Sequence, residues 1–202
     1  MKVIEAVLFD WGGVLIENPG PGLLAYCARA LGVSLADYTR VHNQYAEAFQ
    51  KGQIAESVFW QGVCGALRRP LPGQASLWGE AFRAVHVPRA EVFALARRLR
   101  QNGHRTSLLS NTEAPAMEFF LELRYDMFDV LTFSCVEGVA KPEKEVYEVA
   151  ARKLRADPGH CVLIDDKGDF IEGAQKAGMV GIVYESLAQV RQDLARLGVR
   201  VE

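Results

Sequence analysis

The sequence predicts a doubly wound α/β fold: a parallel five-stranded sheet covered on both faces, with an α-helical segment inserted after the first strand. Three observations carry that expectation. Short apolar runs bounded by Gly, Asp or Ser recur along the chain, and near-continuous hydrophobicity is what strands buried on both faces require. Helical repeats separate the later runs, so strand and helix alternate, as they do around a parallel sheet. From about Gly20 to Val87 there is no strand pattern but there are several helical ones.

The elements follow in order. Val3 to Phe9 reads as the first strand. Ser34-Leu35-Ala36-Asp37 is a capping-box-like start, followed by Tyr38, Val41, Tyr45 and Phe49 at helical spacing until Gly52 breaks the pattern. A second helical run, Ile54 to Leu67, ends in the loop chemistry of Arg68-Arg69-Pro70-Leu71-Pro72-Gly73. A third helix is expected over Gln74 to Val85. Val92, Leu95 and Leu99 then repeat at three and four, with Pro88 at the start and Gly103 past the end. Strands are expected at Thr106 to Leu109, Val130 to Phe133, Val162 to Ile164 and Gly181 to Tyr184. The last helix carries Leu187, Val190, Leu194 and Leu197, with Ser186 as cap and Gly198 as stop. This divides the chain into an α/β core, residues 1–17 and 89–202, and a helical cap, residues 18–88.

Composition narrows the function classes. The 202 residues are 50% hydrophobic and 24% charged, a globular balance with ample material for a core. A net charge of −2 offers no basic footprint for nucleic acid. The apolar runs fall short of the roughly 18 residues that span a bilayer, so no membrane partner is expected. Met1 to Glu5 enters a strand-like run without signal-peptide anatomy, which gives a cytoplasmic expectation. Cys27, Cys64, Cys135 and Cys161 form no CxxC pair and read as free structural thiols. No Cys/His cluster points to zinc.

Ligands of an open α/β sheet bind beyond the carboxyl ends of its strands. Asp10 follows the first expected strand, with Trp11-Gly12-Gly13 behind it. Ser110-Asn111-Thr112 follows the second, Lys141-Pro142 comes a few residues after the third, and Asp165-Asp166 follows the fourth. Three carboxylates, a hydroxyl–amide pair and a lysine therefore gather at one sheet edge. Carboxylates suit Mg²⁺, lysine and hydroxyl groups orient phosphate oxygens, and one carboxylate can act as nucleophile. Phosphoryl transfer is the chemistry that needs this set.

Four segments give a more specific signal: Phe9-Asp10-Trp11-Gly12-Gly13-Val14-Leu15, Leu109-Ser110-Asn111-Thr112, Lys141-Pro142-Glu143, and Leu163-Ile164-Asp165-Asp166 leading into Ile171-Glu172-Gly173-Ala174. In this order they resemble the motifs of the haloacid dehalogenase-like superfamily, in its subfamily with a helical cap after the first motif. The cap segment Phe49-Gln50-Lys51-Gly52-Gln53-Ile54 is similar as well. Within the subfamily, the chain is most similar to small sugar-phosphate phosphatases of the glucose-1-phosphatase type.

The resemblance implies a Rossmann-like core and a Mg²⁺-dependent hydrolase of a small phosphorylated metabolite. Asp10 would be nucleophile and metal ligand. The Gly12 carbonyl, Asp166 and the neighbouring Asp165 would complete the metal site. Ser110 and the Asn111 backbone would bind the phosphoryl group, and Lys141 would bridge Asp10 and the phosphate.

Two positions depart from the pattern. Gly12 stands where these phosphatases usually carry an acid/base Asp, and its backbone is a candidate for a conformation that only glycine tolerates. Phe170 stands where a polar residue is often found, with Asp169 as a candidate supporter of the metal shell. Two alternatives follow: a C–halogen hydrolase on the same fold, or a catalytically poor binding protein.

Simpler readings exist for single residues. Ser110-Asn111-Thr112 alone reads as a helix N-cap, and Lys141-Pro142 as a surface lysine before a helix-starting proline. Trp11 and Trp60 read as packed aromatics.

Overall fold

The computed structural model describes residues 3–202, so Met1 and Lys2 of the expected N-terminal run lie outside the described residues. Five strands, β1 (Ala6–Phe9), β2 (Arg105–Ser110), β3 (Val130–Phe133), β4 (Cys161–Asp165) and β5 (Val180–Val183), form one parallel sheet in the order β3-β2-β1-β4-β5. Period-two alternation splits the strands between two apolar clusters. Ala6, Leu8, Cys161 and Leu163 face one, and Val7, Phe9, Val162 and Ile164 face the other.

Between β1 and β2 run α1 (Gly20–Ala30), α2 (Leu35–His42), α3 (Ala46–Gln50), α4 (Glu56–Leu67), α5 (Leu77–Val85) and α6 (Ala90–Gln101). The later crossovers are α7 (Ala114–Glu122), a one-turn α8 (Ser134–Glu137), α9 (Lys144–Leu154), α10 (Gly168–Lys176) and the terminal α11 (Leu187–Arg196). Tyr147 and Ala151 of α9 and Ile171 and Ala174 of α10 fill one cluster. Val92 and Leu95 of α6 and Val190 and Leu194 of α11 fill the other. Both faces of the sheet are covered, as the uninterrupted apolar strands require. No described helix is long and apolar enough to cross a membrane.

Several boundaries differ from the sequence reading, each for a local reason. The run from Ser34 to Phe49 is not one helix. The N–H groups of Gln44 and Tyr45 reach back only three residues, to the carbonyls of Val41 and His42, and this tightened turn separates α2 from α3. Asn43, a weak helix former that favours helix ends, sits at the break as the C-cap of α2. Helix α5 starts at Leu77 rather than Gln74 because the Ser76 hydroxyl caps it, accepting from the Gly79 N–H at 2.9 Å. Helix α1, with proline in its first turn, and helix α7 were not anticipated from periodicity.

The segment α1–α5 packs around stacked rings. Phe59 lies 4.5 Å from Phe49, and His42 lies parallel to Trp78 at 5.5 Å. It meets the rest of the molecule through Trp11, whose ring sits 4.6 Å from Phe82 of α5 and edge-on to Phe120 of α7 at 5.0 Å. A second junction is backbone on backbone. Gly52 has φ +66°, and a Cβ there would lie 2.1 Å from the Cys135 carbonyl oxygen of α8. Only glycine fits this position.

Candidate active site

Strand register sets the site. Phe9 pairs with Leu108 on one side and Ile164 on the other, so the next residue, Asp10, emerges beside Asp165. Between these two carboxylates stands Lys141, carried by the loop between α8 and α9. Its Nζ donates to Asp10 Oδ1 at 2.7 Å and to Asp165 Oδ2 at 2.5 Å, and all three side chains are buried. The lysine backbone is itself clamped. Asn111 accepts from the Lys141 N–H and donates to its carbonyl, both at 2.8 Å. The amide side chain of Asn111 is thus committed to placing Lys141.

Burial pushes the Asp10 carboxyl up to about 7, opposed by Lys141 and reinforced by the Asp165 charge. Burial works against the Lys141 ammonium, but the two carboxylates outweigh it and its pKa is raised. Asp166 is also raised, by burial and then by the adjacent Asp165 charge.

One carboxylate oxygen each of Asp10, Asp165 and Asp166 lies within 4.8 Å of the others. Asp165 already has both oxygens engaged, Oδ2 with Lys141 and Oδ1 with the Lys167 N–H at 3.0 Å. Asp166 Oδ1 is buried and has no partner among the described residues. An orphaned buried carboxylate oxygen beside two more carboxylates fits a hard divalent cation that takes oxygen ligands.

The turn after β1 wraps closely around this oxygen. Gly13 has φ +94°, and a Cβ there would lie 2.3 Å from Asp166 Cγ. Gly12 differs from the expectation: it is not in the left-handed region, and a Cβ would instead press on Pro19 Cδ at 3.0 Å. What glycine provides at position 12 is clearance from the start of α1, not backbone freedom. Asp169 is exposed and accepts from the Phe170 N–H at 3.1 Å, apart from the acidic trio.

Neither simpler reading of the second and third motifs holds. The N-cap of α7 is Glu113, not Ser110, and it makes no side-chain cap bond. Ser110 Oγ instead shares a 2.5 Å hydrogen bond with Thr112 Oγ1. The Thr112 N–H donates to Ser134 Oγ at 2.8 Å, and the Ser134 hydroxyl donates to the Gln50 carbonyl at 2.6 Å. Lys141 is buried rather than on the surface, and α9 starts at Lys144, beyond Pro142.

A cavity of about 240 Å³ opens over this edge. Asp10, Gly12, Ser110, Asn111, Lys141 and Lys167 line it from the sheet side, and Leu23, Leu24, His42, Asn43, Gln50, Trp78 and Phe82 from α1–α5. Trp11 lines it as well as packing, whereas Trp60 is buried elsewhere and donates to Glu56 at 2.8 Å. Phe170 spreads its ring beneath both lysines, 5.0 Å from Lys141 Nζ and 4.8 Å from Lys167 Nζ.

The sequence reading missed several residues that line the cavity. The chief one is Glu113, only 8% exposed, which accepts from Trp78 Nε1 at 3.2 Å and Gln50 Nε2 at 3.4 Å. Burial raises its pKa, against its own backbone N–H and these two donors. A carboxylate directly after Thr112 was the available signal. The residues of α1–α5 offered none, because tertiary packing alone turns them to the cavity.

Comparison with known proteins agrees with this geometry. The family model for haloacid dehalogenase-like hydrolases matches residues 4–178. A phosphatase of Mycobacterium tuberculosis is 35% identical over 207 residues, covering 96% of this chain and 95% of that protein. A sesquiterpene phosphatase of Aspergillus oryzae is 29% identical over 189 residues, covering 91% of this chain and 92% of its own length. A solved structure of a family enzyme from Bacteroides thetaiotaomicron, in complex with magnesium and inorganic phosphate, shares the fold. Its TM-score is 0.76 at 20% identity, over 93% of this chain and 98% of that one.

Proposed function

The chain belongs to the haloacid dehalogenase-like hydrolases, and from that premise we propose that it is a Mg²⁺-dependent phosphomonoester hydrolase working through an aspartyl-phosphate at Asp10. The observation that carries this reading is Lys141, buried between Asp10 and Asp165 beside the unpartnered Asp166 oxygen. Asp10, Asp166 and Asp165, with the Gly12 carbonyl, would hold the cation. Bound Mg²⁺ supplies positive charge that neutralises phosphoryl oxygens.

The chain's own residues do the rest. Lys141 fixes Asp10 Oδ1 and leaves the second oxygen to attack phosphorus, forming one P–O bond as the bond to the leaving oxygen breaks. Ser110, with the Asn111 backbone, orients the phosphoryl oxygens, and Lys141 offsets the charge that develops there. Water then cleaves the acyl phosphate, releasing inorganic phosphate and restoring the carboxylate. Gly12 offers no proton, so the leaving oxygen departs largely as an anion.

Residues 18–88 act as the cap that closes the cavity and selects the substrate. At about 240 Å³ the cavity is smaller than the roughly 300–1,000 Å³ that hold drug-sized ligands. That size favours a small phosphorylated metabolite, sugar phosphates included, over a sesquiterpene substrate. The acidic trio favours phosphate over carbon–halogen chemistry, which needs no cation. Phosphate release from p-nitrophenyl phosphate should require Mg²⁺, vanish with EDTA and return on adding Mg²⁺ back. Turnover without metal would overturn this reading in favour of the dehalogenase, and no turnover with any phosphate ester would favour the binding protein.

A further inference from the structure

Lys141 and Glu113 both line the cavity, and only Lys141 is paired with groups of opposite sign. At the sheet edge, Lys141 sits between two carboxylates. Glu113, which follows Thr112 at the N-cap of α7, is buried with its own N–H and two neutral side-chain donors, the latter at 3.2 and 3.4 Å, both long for hydrogen bonds to a carboxylate. No Lys, Arg or His forms an ion pair with it among the described residues, although a carboxylate offers about four acceptor sites. The nearby ring of His42 cannot serve, since burial lowers its pKa to about 4 and leaves it neutral. Gln50 and Asn43 are neutral too. Burying a carboxylate without a cation is costly unless a ligand completes the pair.

We infer that Glu113 is the recognition site for an ammonium group on the substrate, so the enzyme acts on phosphate esters that also carry an amine, amino-sugar phosphates among them. This rests on the phosphatase reading and extends it. Phosphate docks at Lys141 and Ser110, and the amine lies against Glu113, which lines the same cavity. A molecule that carries both a phosphate and an ammonium matches a cavity lined by both Lys141 and Glu113. A neutral hydroxyl would supply no opposite charge to draw the Glu113 carboxyl into its ionised form.

The test uses non-hydrolysable probes, so that it does not depend on turnover. Isothermal titration calorimetry in Mg²⁺ compares ω-aminoalkyl phosphonates of two to four carbons with alkyl and hydroxyalkyl phosphonates of the same length. At least one amine should bind about tenfold more tightly than both its isosteres, equivalent to roughly 1.4 kcal/mol. In Glu113→Gln the amine-to-alkyl ratio should collapse toward one. The ratio is internal to each protein, so a general weakening of the variant does not mimic the result.

Equal binding of amine and alkyl probes, with p-nitrophenyl phosphate still hydrolysed, would overturn the ammonium site alone. So would a hydroxyalkyl probe matching the amine, or an amine preference that survives in Glu113→Gln. No phosphonate binding together with no hydrolysis would overturn both readings.

Discussion

The cavity's two walls are built by opposite means. On the sheet side, the buried charged groups are placed by backbone: Asp10 and Asp165 by strand register, Lys141 by the clamp of Asn111 on its own peptide groups. On the side of α1–α5 the wall is mostly apolar and held by shape, with His42 stacked on Trp78 and Leu23, Leu24 and Phe82 beside them. Chemistry that tolerates little displacement sits on the first wall. The second can exchange side chains at a cost in packing alone. On the proposed function, the difference makes reaction type and substrate choice separable, and several substitutions bear on that separation.

Asp10→Asn should have the largest effect, a loss of turnover of about 10³-fold or more, since an amide cannot attack phosphorus. Its thermal midpoint should stay near the parent's, because the change is nearly isosteric and removes a charge that burial disfavours. Residual turnover above a tenth would take the nucleophile role from Asp10. Lys141→Met inverts the pattern. It strands two buried carboxylates, so it should cost about 3–5 kcal/mol and lower the midpoint by on the order of 10 °C. An unchanged midpoint would show that the sheet wall is not held by this lysine.

Gly12 tests whether the first wall lacks a proton donor. Across phosphates of graded leaving-group pKa, kcat/KM should fall steeply, with acyl, aryl and anomeric phosphates favoured over simple alkyl ones. Gly12→Asp should flatten that slope and raise poor substrates by up to about 10²-fold, if Pro19 yields the few tenths of an ångström required. A flat wild-type profile with chemistry rate-limiting would mean that another residue donates.

Asp166→Ala should raise the Mg²⁺ requirement roughly tenfold with little loss of stability, while Asp165→Ala should lose stability first, since its oxygens hold Lys141 and the Lys167 N–H. The smallest effect belongs to the second wall. Leu24→Ala should raise KM for small phosphates a few-fold and change kcat less, measured by initial rates.

How much was legible follows the same division. The strands announced themselves because burial on both faces leaves nearly unbroken apolar runs, and the groups after Phe9, Leu109 and Ile164 could then be placed at one edge. Buried Lys141 was legible from its motif, though not the Asn111 clamp behind it. Glu113 was missed because its meaning depends on Trp78 and Gln50, 35 and 63 residues away in sequence. The break at Asn43 was missed because Tyr38, Val41, Tyr45 and Phe49 keep helical spacing across it.

The contact at Gly52 has a mechanical consequence. Peptide backbone of the α3 end rests directly on the Cys135 carbonyl, and the Ser134 hydroxyl ties the Gln50 carbonyl to the loop of Ser110 and Thr112. That end of the helical segment has no side chain to compress at this contact. A bulkier residue at position 52 would therefore push the segment off the Cys135 carbonyl and disturb the Ser134 link between Gln50 and Thr112, carrying strain from a position remote in sequence into the loop that holds Ser110.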